Sequence, residues 1–252
     1  MLLGLEGKVA LVTGGARDVG GEISRTLAAE GAIVAINYRG SADEANALVE
    51  EIKANGGTAA AYQADVTDYE ATKAMVDQVV ADFGKINILI NNAGLVIQKR
   101  FVDSDPEQWK KQTDVCHYGI INACHAVSKY MVEQEDGRIV NIVGDSARVG
   151  ESYLSVKAAT GGSAMAFTKS LAKELGKFNI RANVVAFGML ETSHSDKEWL
   201  EQNRAKIERQ YPLRRMGFPQ DVAPTVVFLA SNATSWVTGQ TVSVSGGYSM
   251  VG

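Results

Sequence analysis

Short runs of apolar residues alternate along this chain with longer stretches in which apolar positions recur every third or fourth residue. Lys8–Thr13, Ala32–Asn37, Ala59–Val66 and Ile86–Asn92 are the first four short runs, and Arg138–Val143, Arg181–Ala186 and Thr241–Gly246 are three more. Runs of this length, rich in Val, Ile and Ala and bounded by turn residues, predict strands. Between the second and third, Asp43–Gly57 places Ala45, Leu48, Val49 and Ile52 on one helical face and stops at Gly56-Gly57. Thr67–Glu70 reads as a capping box opening the next helix, and two long helices are predicted over Pro106–Glu133 and Tyr153–Gly176. Strands alternating with helices predict an α/β fold, a doubly wound parallel sheet of about seven strands.

No composition shift, low-complexity tract or internal repeat divides the chain, so residues 1–252 are expected to form a single domain. Met189–Pro212 is the one long insertion between a strand and the following helix. It is charged and bounded by Gly188 and Pro212, which fits a lid over a site at the strand ends or a solvated surface excursion.

Composition narrows the function classes. Hydrophobic residues make up 46% and charged residues 21%, as in ordinary globular proteins. The formal net charge of −4 gives no reason to expect nucleic acid or an anionic membrane as a partner. The two cysteines, Cys116 and Cys124, belong to no CxxC arrangement, which predicts no disulfide framework and fits a reducing compartment. The N-terminal apolar run is too short and too rich in glycine for a membrane span, and it lacks a basic segment with a cleavage site. A cytoplasmic location is the expectation.

Candidate chemistry gathers in a few places. Thr13–Gly21 follows the first strand and precedes a helix, where a glycine-rich turn lets backbone approach a pyrophosphate at a helix N-terminus. Further along, Tyr153 and Lys157 stand four apart at a predicted helix start and would share a face. A neighbouring ammonium favours the phenolate and so fits tyrosine for proton transfer near neutral pH.

These motifs, with Asp65-Val66, Asn91–Gly94 (NNAG), Ile180–Gly188 and Thr238–Gly247, resemble the short-chain dehydrogenase/reductase family along nearly the whole chain. The resemblance is to its β-ketoacyl reductase-like members. It implies a Rossmann-type sheet with NAD or NADP across its carboxyl ends, and a tetramer packed through the two long helices. It further implies that Gly14, Val19 and Gly20 line the cofactor turn and that Asp65 and Val66 contact adenine. By the same resemblance Asn91, Ala93 and Gly94 pass the ribose and nicotinamide side, and Thr192 meets the carboxamide or phosphates. Tyr153 is then the acid/base, and Lys157 activates it and holds the nicotinamide ribose. Asn37, Tyr38 and Arg39 end the second strand with no carboxylate, and Arg17 lies in the glycine turn, which favours NADP over NAD.

The chain also departs from the family pattern. Gly144 stands where the family's catalytic serine belongs, and Ser146 is the candidate substitute. The segment from Gly144 to Tyr153 is shorter than the family's. Cys116 takes the place of an asparagine, Asp18 that of the middle glycine of the cofactor turn, and Phe187 that of a proline. A carboxylate at 18 repels a pyrophosphate unless Arg17 or the helix dipole compensates. Cys116, His117, Cys124 and His125 have no closed metal-ligand spacing, so no metal is expected. Two readings follow: an NAD(P)-dependent oxidoreductase interconverting a secondary alcohol and a ketone, or a degenerate member supporting an active sister subunit in a homo- or hetero-tetramer. Arg204, Lys206 and Arg209 in the insertion would steer an anionic substrate such as an acyl-CoA, or form a solvated helix face.

Overall fold

The computed structural model describes residues 3–251. Strands β1 (Val9–Thr13), β2 (Ile33–Tyr38), β3 (Thr58–Gln63), β4 (Ile88–Asn91), β5 (Gly137–Gly144), β6 (Ile180–Phe187) and β7 (Thr241–Val244) form one sheet in the order 3-2-1-4-5-6-7. Every pairing is parallel. The order reverses direction at β1 and β4, the point where doubly wound sheets open a crevice at their carboxyl ends.

Both faces of the sheet are covered, which explains why its strands read as continuous apolar runs. Ala10, Val12, Val34, Ile36 and Ile90 pack against α1 (Asp18–Ala29), α2 (Ala42–Ala54) and α9 (Pro219–Ala230). The alternate residues Val9, Leu11, Ala35 and Leu89 face the other layer. That layer comprises α3 (Tyr69–Phe83), α5 (Gly119–Gln134) and α7 (Ser155–Leu175). The expected face of α2, namely Ala45, Leu48, Val49 and Ile52, is buried throughout.

Three predicted elements differ from expectation. The N-cap of α3 is Asp68, whose side chain accepts from the Ala71 N–H, rather than Thr67. Thr67 instead donates its N–H and hydroxyl to Asp65, at 3.0 and 2.8 Å, in a local Asx turn. The first long helix is α4 (Pro106–Thr113) joined to α5 through a π-helical turn, Asp114–Tyr118. The second begins at Ser155, because Tyr153 sits in the left-handed region at φ 69°. The expectation that Tyr153 and Lys157 share a helical face is therefore corrected: only Lys157 lies on α7.

The insertion folds as a bridge at Leu190 and a turn over residues 192–195, followed by α8 (Lys197–Glu208). Leu200, Ile207, Tyr211 and Met216 bury one another in a small cluster separate from the main core. Leu190 bridges to Gly217 and pins the segment at its two ends.

Candidate active site

The glycine turn and the NNAG turn interlock at the carboxyl ends of β1 and β4. Gly14 takes φ 58°, a conformation that glycine adopts without steric cost. A Cβ on Gly20 would stand 2.2 Å from the Gly14 carbonyl oxygen, so the first turn of α1 lies directly on the loop. The Asn92 amide donates to the carbonyls of Thr13 and Gly14 at 3.1 and 2.9 Å. The Thr13 hydroxyl accepts from the N–H groups of Asn92 and Ala93 at 3.0 and 3.1 Å. These bonds hold a shallow backbone cradle at the N-terminus of α1, which fits a dinucleotide pyrophosphate. Thr13 and Asn92 lie within the two motifs read from the sequence, but their anchoring role was not legible there, since a bond across two turns leaves no trace in spacing.

Asn91 has a different occupation. Its side chain donates to Asn141 Oδ1 at 2.8 Å and to Cys124 Sγ at 3.2 Å, inside the sheet. Asn141 in turn donates to Thr168 Oγ1 at 2.8 Å, so a buried polar chain ties β4, β5 and α7 together. Burial pushes the Cys124 thiol up to about 12, with the Asn91 amide acting in the opposite sense.

Lys157 reaches from α7 toward the NNAG turn. Its Nζ donates to Cys116 Sγ at 3.3 Å, and it lies 3.6 Å from where a Cβ on Gly94 would be. The same sulfur accepts from the Leu95 N–H and donates to the Leu95 carbonyl, both at 3.3 Å. The π-helical turn delivers Cys116 to this spot; such extra-residue turns recur at functional sites. His117 points to a different neighbour, with Nδ1 2.7 Å from Ser163 Oγ.

Tyr153 is 51% exposed and faces a narrow pocket with Ile97, Lys99, Trp109, Gln112 and Val156. Its carbonyl accepts from the Lys99 N–H at 3.0 Å, which fastens the segment after β5 to the loop after β4. No hydrogen bond joins Tyr153 to Lys157 among the described residues. Ser146 opens the short helix α6 (Ser146–Val149) and is buried, and its hydroxyl lies 3.4 Å from the position of a Cβ at Gly144. A hydroxyl thus stands close to the place where residue 144 would have carried one.

Beyond the end of β3, Asp65 accepts from Thr67, and its carboxylate lies 3.8 Å from the Arg39 guanidinium. Val66 is buried and packs against Gly119, where a Cβ would approach to 2.8 Å. Arg17 is 3.6 Å from Glu44. A cleft of about 610 Å³ runs between the glycine turn, α2 and the insertion, with Arg17, Asp18, Glu44 and Thr192 on its walls. Thr192 is held within its own loop, its N–H donating to Ser195 Oγ at 2.9 Å. Of the basic residues in the insertion, Arg204 is paired with Glu191 at 2.9 Å and with Glu208 at 3.6 Å. No group of three or more potential metal-ligating side chains occurs among the described residues, and no described helix is long and apolar enough to cross a membrane.

A family model described as Enoyl-(Acyl carrier protein) reductase matches residues 14–249. The 3-oxoacyl-[acyl-carrier-protein] reductase FabG of Staphylococcus aureus is 37% identical over 243 residues, covering 96% of this chain and 98% of that protein. Among solved structures, gox2181 is similar with a TM-score of 0.93 at 33% identity, covering 98% of this chain and 97% of its own. A putative short-chain alcohol dehydrogenase from Sinorhizobium meliloti has a TM-score of 0.91 at 29% identity, covering 98% of each chain.

Proposed function

We infer the chemistry from kinship and site together: the chain belongs to the short-chain dehydrogenase/reductase family, is similar to its 3-oxoacyl reductases, and is an oxidoreductase of that kind. The reading is that it interconverts a ketone and a secondary alcohol with NADP, or more weakly NAD. A 3-oxoacyl thioester, carried by acyl carrier protein or CoA, is the substrate class that the similarity suggests. The observation that carries this reading is the backbone cradle at Gly14 and Gly20, interlocked with the turn that Lys157 touches.

The dinucleotide, when bound, supplies or accepts the hydride. Backbone at Gly14, Val19 and Gly20 would take its pyrophosphate at the helix N-terminus. Arg17 and Arg39 would hold a ribose 2′-phosphate by charge-assisted hydrogen bonds, and Asp65 and Val66 would flank the adenine. The Ala93–Gly94 backbone and Lys157 would support the nicotinamide ribose, and Thr192 would close from the lid. Tyr153 keeps the transferable proton at its hydroxyl and delivers it to the carbonyl oxygen in reduction, or removes it from the alcohol in oxidation. Ser146 would hold that oxygen in place of the missing serine at 144. Assembly into a tetramer through α5 and α7 is part of the same family-based reading.

A second reading has its own support. Tyr153 lies ahead of α7 at φ 69°, and Gly144 brings no hydroxyl of its own, as in a subunit that binds cofactor without turning over. Fluorescence titration of the purified chain with NADPH and NADH tests what both readings share. NADPH is expected to bind about tenfold tighter than NADH, the worth of roughly one added charge-assisted contact. Binding of neither dinucleotide would overturn both.

A further inference from the structure

The insertion is clasped to the cofactor turn by a residue the turn does not ordinarily carry. Asp18 opens α1 at φ 48°, a backbone state available to aspartate but uncommon outside glycine. Its carboxylate accepts from Ser193 Oγ at 3.1 Å and stands 3.0 Å from His194 Nδ1. On the other side of the ring, Arg17 Nη1 lies 3.1 Å from His194 Nε2. A neutral imidazole satisfies both contacts, donating from Nδ1 to Asp18 and accepting at Nε2 from Arg17. The groups around the clasp are Arg17 itself and Glu44, which lies 3.6 Å from that guanidinium, with Thr192 and Glu22 on the same cleft.

The carboxylate is thus a resident anion at a helix N-terminus, the position that favours negative charge. It occupies lid donors at the mouth of the cradle, and the clasp also engages Arg17. We propose that Asp18 and His194 form a clasp that competes with the dinucleotide's phosphates, holding the lid down on the cleft and setting cofactor affinity. The proposal rests on the cofactor reading given above. Cofactor entry must break the Asp18–Ser193 and Asp18–His194 contacts and draw Arg17 away from the ring. Apparent affinity is then reduced by the fraction of molecules whose clasp is open. A 2′-phosphate engages Arg17 directly, so NADPH releases the clasp more readily than NADH.

The test combines NADPH and NADH titrations with amide hydrogen exchange of residues 191–196 in the cofactor-free chain. It uses the wild type, Asp18→Asn, Asp18→Gly and His194→Ala. Asparagine and glycine both tolerate the left-handed backbone at 18, so the fold is kept. Each variant is expected to speed exchange in that segment and to tighten NADPH binding by about tenfold, the size of one lost charge-assisted hydrogen bond. Measurable binding with the same or weaker affinity in Asp18→Asn and His194→Ala overturns the clasp as a competitor. Unchanged exchange overturns it as a restraint on the lid. Absence of dinucleotide binding in the wild type and every variant is a separate result, which removes the cofactor reading itself.

Discussion

Cys116 shows how a single substitution reshapes the site. Its thiol touches the Lys157 ammonium and both polar groups of Leu95 at 3.3 Å, joining α7 to the NNAG turn. At the position of the family's asparagine the chain carries a thiol, a weak hydrogen-bonding group. The structure shows a direct contact, because the π-helical turn advances the sulfur to within reach of Lys157. Cys116→Ala is expected to lower kcat about tenfold by freeing Lys157, and Cys116→Ser to retain most of the rate. Steady-state kinetics alongside thermal melts checks this; a loss in both variants that tracks a fall in melting temperature would contradict it. The pairing of Asp18 with His194 was not legible in the sequence for a related reason. Their contact spans 176 positions, and no local spacing announces it.

Among the elements, the strands and α2 were legible because burial imposes a period on the sequence. Residues of β1 alternate between the two core layers, Val9 and Leu11 to one and Ala10 and Val12 to the other. Features that do not change the period were not legible. One extra residue in a helix leaves its apolar stripe nearly intact, and so does a start shifted from Tyr153 to Ser155. Charge pairing between elements is likewise invisible until the sheet assembles. Asp136, just before β5, accepts from Lys8 ahead of β1 at 2.8 Å and from Asn87 ahead of β4 at 2.9 Å, and its other oxygen lies 3.2 Å from Arg138. Burial pushes the Asp136 carboxyl up, but the Lys8 hydrogen bond and the Arg138 charge outweigh it and hold it below the usual carboxylate range. The folded chain therefore binds fewer protons at this group than the unfolded one. Its stabilisation is complete above the unfolded value near ~4 and fades as pH falls through the lower folded value. Asp136→Asn is expected to cost about 1–2 kcal/mol at neutral pH and to flatten the acid limb of stability. Denaturant melts of both proteins at neutral pH and near pH ~3 test this. A difference that stays the same across that range would contradict it.

At the scale of the whole molecule, the sheet reversal at β1 and β4, the glycine cradle and the NNAG turn converge on one crevice. Thr192, Ser193 and His194 of the insertion close over its edge. That convergence was readable in outline, since ordered motifs at the ends of successive strands must meet where the sheet changes direction. The position of Tyr153 was not, because it depends on a backbone hydrogen bond from Lys99, a contact across 54 positions of the chain. The central claim is therefore that Tyr153 performs proton transfer. The direct measurement is NADPH consumption with a 3-oxoacyl thioester, comparing the wild type with Tyr153→Phe after confirming that both bind NADPH. The account predicts turnover by the wild type and a loss of about 10²–10⁴-fold in kcat for the variant, with cofactor affinity kept. Equal rates in the two proteins, or cofactor binding with no turnover by either, would contradict it.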